Sequence, residues 1–136
     1  MYGAVGGKRN AIAPGKRMLS SMAPTLVLKN GHPFLVAGTP GGTTIPTSVF
    51  QTIVNIVDFR MDVASAVNRP KFHHQWLPDL IDVETGFNES TKQELLDMGY
   101  RVNEVPALGR MEVIRAIDGG LEVCGDRRGD DSVAGY

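Results

Sequence analysis

Two short stretches of this chain carry residue types suited to holding negative charge. Ser20-Ser21 presents two adjacent hydroxyls, each able to donate to an anionic oxygen. Read by themselves, the same serines serve as a Ser turn or a helix cap. Pro40-Gly41-Gly42 presents two consecutive backbone N–H groups without a Cβ to block close approach, on glycine dihedrals free to take a tight path. Alone, these residues read as a turn from strand to helix. His73-His74 has no third ligand at metal-binding spacing and no His-x-x-His or Cys/His cluster beside it. It reads as a packed, hydrogen-bonded loop around Trp76, and no metal is expected. Asp130-Asp131 has no neighbouring group in the sequence to tune it as an acid/base pair, and reads as a solvated C-terminal turn. Arg128-Gly129-Asp130 spells a cell-adhesion tripeptide, a three-letter match that chance supplies in a polar tail. Cys124 is the only cysteine, which excludes an internal disulfide and a Cys-based zinc cluster and is silent on compartment.

The elements that must position these groups follow from pattern. Thr25 to Leu28 and Phe34 to Ala37 are apolar runs joined by Lys-Asn-Gly-His-Pro, and Asn-Gly predicts an antiparallel hairpin. Both runs are apolar on consecutive residues, which predicts a sheet covered on both faces. Ser20-Ser21 and Gly41-Gly42 then stand at the two ends of one hairpin. Thr44 is expected to cap a buried helix, with Pro46 in its first turn and Val49, Phe50, Ile53, Val54, Ile56 and Val57 at helical spacing. Asp62 starts a short second helix that stops before Pro70. "RPKFHHQWLPD" reads as loop, and Ile81 and Val83 as a brief strand. Asn88 or Ser90 caps a third helix ended by Gly99. "YRVNEV", "MEVIRAI" and "LEVCG" are β runs, the last two joined by Asp118-Gly119-Gly120, and "DRRGDDSVAGY" closes the chain as a polar turn.

With 136 residues, the chain is one modest domain. Its 42% apolar and 21% charged residues place it with folded proteins rather than disordered ones. The net charge of −1 is dispersed, so no basic face recruits a phosphate backbone and nucleic acid is not an expected partner. No apolar run approaches the roughly 20 residues of a membrane span.

"PGKRMLSSMAPTLVLKNG", "GTPGGTTIPTSVFQTIVNIVDF", "NRPKFHHQWLPD" and "DDSVAGY" together resemble, in order and over nearly the whole chain, the C-terminal part of the small subunit in the gamma-glutamyltransferase (gamma-glutamyl transpeptidase) family. The resemblance implies an α+β fold, part of the αββα sandwich of N-terminal-nucleophile hydrolases, in which helices cover packed antiparallel sheets. Residues 1–136 would form the C-terminal segment of that small-subunit domain, with residues 1–19 as an irregular lead-in. It further implies a threonine, exposed by self-cleavage, that attacks a gamma-glutamyl amide with its own α-amino group as base. The family places that threonine upstream of "YGAVGG", outside this sequence; Thr43 and Thr44 are internal, and their amide nitrogens have no basic lone pair. Ser20 and Ser21 match the serine pair that holds the substrate's α-carboxylate, and Gly41 and Gly42 the pair facing the oxyanion. The implied substrates are gamma-glutamyl small molecules such as glutathione, with water, amino acids or peptides as acceptors and no cofactor. The implied partners are the remaining segments of the same enzyme. An isolated chain with uncovered apolar strands is expected to self-associate. A periplasmic or extracellular setting is also implied. Two other readings stay open: a noncatalytic binding or structural remnant of the fold, and a relative acting on another amide, as cephalosporin acylases and capsule depolymerases do.

Overall fold

Asn30 and Gly31 adopt φ of +53° and +81°, the left-handed pair that a two-residue hairpin turn requires. The chain accordingly folds back between β1 (Thr25–Lys29) and β2 (His32–Gly38), pairing Leu26 with Val36 and Thr25 with Ala37. The structure, a computed structural model, describes residues 6–135. Further along lie β3 (Phe72–His73), β4 (Ile81–Glu84), β5 (Val102–Val105), β6 (Glu112–Ile117) and β7 (Gly120–Cys124). The helices are α1 (Ile45–Val57), α2 (Val63–Asn68) and α3 (Glu89–Asp97).

One antiparallel sheet has the order β1-β2-β6-β7, and a second has the order β3-β4-β5. In the second sheet β4 and β5 run parallel, because α3 forms the crossover between them. Phe72–His73, expected as loop, is a short strand: Phe72 pairs with Val83 and His73 with Asp82. Two residues on a sheet edge leave too little periodicity to be seen in sequence.

Caps explain most helix starts. Asp62 accepts the Ser65 N–H at 2.8 Å and Asn88 accepts the Thr91 N–H at 2.8 Å. Gly99, φ +90°, closes the end of α3. Thr44 departs from expectation. It lies in a 3-10 turn, Gly42–Thr44, and its hydroxyl donates backward to the Gly41 carbonyl at 2.9 Å instead of capping α1.

The core lies on one face of the larger sheet. Leu35, Ala37, Met111 and Val113 meet Ile45, Val49 and Ile56 of α1 and Val63, Ala66 and Val67 of α2. Each large apolar side chain buried there contributes about 1.5–3 kcal/mol. The opposite face has no cover within this chain. Leu26, Val36, Ile114 and Val123 are in register across all four strands, and each is at least 40% exposed. Within this chain the sheet has a helix layer on one side and an uncovered apolar row on the other. Of the lead-in, residues 8–10 form a single 3-10 turn and the described remainder is irregular and exposed; residues 1–5 lie outside the described part.

Candidate functional site

The turn after β2 is built from unusual backbone. Gly41 has φ +144° and Gly42 φ +60°, and the N–H of Thr44 closes the turn on the Gly41 carbonyl at 3.1 Å. A Cβ on Gly41 would overlap Thr44 Oγ1 and come 3.6 Å from Gly109 Cα. Glycine is therefore dictated twice, by dihedral and by space. Among the described residues neither Gly41 nor Gly42 spends its N–H on a backbone carbonyl. The turn runs directly into α1, whose first peptide units add a small positive potential at the same place.

The pairing of Thr25 with Ala37 puts the segment leading into β1 and the segment leaving β2 at the same open end of the hairpin. Ser20 and Ser21 lie in that lead-in segment. Ser20 is exposed, and its hydroxyl accepts the Met22 N–H at 3.2 Å, while Ser21 is half-buried. The local bond made by Ser20 is the turn role its residue type allows, and its exposure leaves the hydroxyl accessible to solvent.

Behind the glycine turn sits the loop Leu108–Met111. Ser48, buried on α1, donates to the Leu108 carbonyl at 3.4 Å. The Arg110 N–H donates to Thr39 Oγ1 at 2.7 Å, and that hydroxyl donates to the Pro40 carbonyl at 2.7 Å.

The same loop is tied to a charge cluster that no local pattern announces. Glu84, Asp126 and Lys71 are 1–2% exposed. Arg128 donates from Nε to Glu84 Oε1 at 2.6 Å and from Nη1 to Asp126 Oδ1 at 2.9 Å, so one guanidinium bonds two buried carboxylates, and Lys71 adds a second positive charge beside them. Burial works against the charge on Arg128, but its bonds to Glu84 and Asp126 outweigh that and raise its pKa. Lys71 donates to the Val67 carbonyl at 2.6 Å, near the end of α2. Burial, with Arg128 close by, pushes the Lys71 ammonium down to about 8. Asp126 and Arg128 belong to the tail expected to be a solvated polar turn. Asp130 is exposed as expected, but Asp131 is largely covered and pairs with Arg110 Nε at 3.1 Å.

His73 is buried, with Nδ1 2.8 Å from Thr47 Oγ1 and Nε2 3.0 Å from Gln75 Oε1. His74 faces Asp79 at 3.3 Å. The two adjacent rings thus have separate hydrogen-bond partners, as expected, but His73 lies in β3 and Trp76 is 67% exposed, so the segment is not packed around the indole.

The family description Gamma-glutamyltranspeptidase matches residues 1–136. This chain belongs to that family. It is similar to the glutathione hydrolase proenzyme of Escherichia coli (strain K12), with 48% identity over 138 residues covering 100% of this chain and 24% of that protein. Its fold is similar to that of a Helicobacter pylori gamma-glutamyltranspeptidase variant, with a TM-score of 0.91, 42% identity, and coverage of 95% of this chain and 72% of that one. It is likewise similar to the gamma-glutamyltranspeptidase of Pseudomonas nitroreducens, with a TM-score of 0.92, 40% identity, and coverage of 99% and 72%. The chain thus spans about a quarter of the length of its E. coli relative, and it has the mixed helix and sheet architecture of the N-terminal-nucleophile hydrolases.

Proposed function

We propose that this chain is the C-terminal segment of the small subunit of an enzyme that transfers gamma-glutamyl groups from glutathione-like donors to water, amino acids or peptides. Its contribution is to bind and polarise the substrate. The attacking threonine would come from a segment upstream of this sequence. The observation that carries this reading is the Gly41-Gly42 turn: two successive N–H groups without backbone acceptors among the described residues, on positive-φ backbone that glycine permits, at the start of a buried helix. Such a turn is suited to the alkoxide that forms when a hydroxyl adds to an amide carbonyl, and the donors matter most as that charge develops. Ser20 and Ser21, at the same end of the hairpin, would hold the α-carboxylate of the glutamyl group. The hairpin would then fix both ends of that group.

The apolar row Leu26, Val36, Ile114 and Val123 is the surface we assign to the remaining segments of the same enzyme; a chain deprived of them would self-associate through it. Among the described residues no helix is long and apolar enough to cross a membrane, and the family relationship supports a periplasmic or extracellular setting. The deciding experiment is Gly42→Val in the complete enzyme. A β-branched residue at φ +60° forces the turn to move. Loss of one oxyanion donor costs about 10²- to 10³-fold in kcat. With self-cleavage and melting temperature intact, kcat is expected to fall in that range while KM moves little. An unchanged kcat with an altered KM would reduce Pro40-Gly41-Gly42 to a turn.

A further inference from the structure

The buried cluster around Arg128 holds the loop behind the glycine turn at both of its ends. Glu84 Oε1 accepts the Leu108 N–H at 2.5 Å, and Asp126 Oδ2 accepts the Met111 N–H at 2.7 Å. Arg128 bonds both carboxylates, and its Nη2 lies 2.5 Å from Glu84 Oε2. Lys71, the other buried cation, is directed to the carbonyls of Val67 and Arg69. Arg128 is therefore the group that joins the two anchoring carboxylates.

Between the anchors, the loop presses on the segment that leads into the turn. Gly109 has φ +79°, and a Cβ there would meet Thr39 Oγ1 at 2.8 Å and the Pro40 carbonyl at 3.4 Å. Arg110 donates its N–H to Thr39, and the Gly109 Cα lies against Gly41. The Arg110 side chain is itself fixed from the tail: a Cβ on Gly129 would overlap Arg110 Cδ, and Asp131 pairs with Arg110 Nε. A shift of the loop toward the turn would therefore displace Thr39, Pro40 or Gly41, and a shift away from it would break the bond of Arg110 to Thr39.

We propose that Arg128 is a positioning residue for the Gly41-Gly42 turn, acting through Glu84 and Asp126 on the loop Leu108–Met111. Its kinetic consequence rests on the oxyanion reading above; its structural consequence does not. Removing the fork leaves Glu84 and Asp126 buried without the cation that joins them, so the two carboxylates that accept from Leu108 and Met111 are no longer fixed to each other and the support of the turn loosens. A misplacement of about 1 Å at reacting groups costs roughly 10²-fold in rate.

The test is amide hydrogen exchange together with kinetics in the complete enzyme carrying this segment. Arg128→Lys keeps a cation but cannot span both carboxylates. Thr39→Val removes the acceptor for Arg110 at unchanged shape, and Thr39→Ser restores it. Faster exchange confined to residues 39–44 and 108–111 is expected in Arg128→Lys and Thr39→Val, with wild-type exchange in Thr39→Ser. The same two variants are expected to lose kcat by about tenfold or more, toward that 10²-fold limit, with little change in KM. Unchanged exchange at residues 39–44, or a uniform rise throughout the molecule, overturns the proposal. Locally faster exchange with wild-type kcat upholds the positioning role and removes the oxyanion assignment instead. If Arg128→Lys fails to fold, Asp126→Asn, which keeps an oxygen for the Met111 N–H but removes a charge that Arg128 bonds, takes its place with the same expected and overturning results.

Discussion

Gly41→Ala isolates what the backbone of the turn costs. Gly41 sits at φ +144°, outside the region that residues with a Cβ ordinarily occupy, and holding such a residue there costs on the order of 1–3 kcal/mol. The added methyl would also overlap Thr44 Oγ1. Relief requires the Thr44 hydroxyl to swing away and abandon its 2.9 Å bond to the Gly41 carbonyl, a further loss of about 0.5–1.5 kcal/mol. Together the change should destabilise by roughly 1.5–4.5 kcal/mol, because both costs arise from the same substitution. Thr44→Ala alone forfeits only the hydrogen bond, and in the double variant that bond is lost once rather than twice. The double variant should therefore be less destabilised than the sum of the singles by about 0.5–1.5 kcal/mol. Urea unfolding of the four proteins gives these values from midpoints at constant slope. Stability of Gly41→Ala within about 0.5 kcal/mol of wild type would refute the strain assigned to this position. Strict additivity would refute the contact with Thr44.

Four further outcomes are expected. The 136-residue chain by itself, with no N-terminal Thr, Ser or Cys, should show no turnover of a chromogenic gamma-glutamyl anilide above a Ser20→Ala control. In the complete enzyme, Ser20→Ala with Ser21→Ala should raise KM for the donor while self-cleavage persists, since each hydrogen bond to a charged group is worth about 1.5–3 kcal/mol; unaltered donor kinetics would return both serines to a turn role. Sedimentation of the isolated chain should show association that weakens when Val36 and Ile114 of the exposed row are changed to lysine, and a sharp monomer at high concentration would contradict it. Lys71 has a folded pKa of about 8, below its ordinary 10.5, so above pH 8 the unfolded chain binds a proton that the folded chain has released. Stability should therefore rise from pH 8 toward 10.5, by up to about 3 kcal/mol relative to Lys71→Met, and a difference that stays flat over this interval would be inconsistent with the burial of the ammonium.

Local chemistry is legible in the sequence wherever a residue acts on its immediate neighbours. Asn30-Gly31 makes its turn because left-handed dihedrals are a property of those residue types, and Asp62 and Asn88 cap because their side chains reach N–H groups three residues on. The family is legible too, since four blocks in order carry it over nearly the whole chain, and the family match spans residues 1–136. Thr44 has the residue type of a cap without the role, because its hydroxyl has two local choices of partner and the strained Gly41 turn brings the carbonyl behind it into range.

The tertiary structure decides what depends on residues far apart. An apolar strand pattern states that both faces prefer cover, but which face the helices of this chain occupy emerges only when Leu35 and Ala37 are seen against α1 and α2 while Leu26, Val36, Ile114 and Val123 lie bare. Glu84 and Arg128 stand 44 residues apart, and nothing in either neighbourhood foretells their contact. The tail that reads as a solvated turn becomes the anchor of a loop behind the glycines, because burying Glu84 and Asp126 requires a cation that can bond both, and the fold brings Arg128 to them. The order and types of such groups are set along the chain; only packing brings them within bonding distance and removes the water that would otherwise screen them.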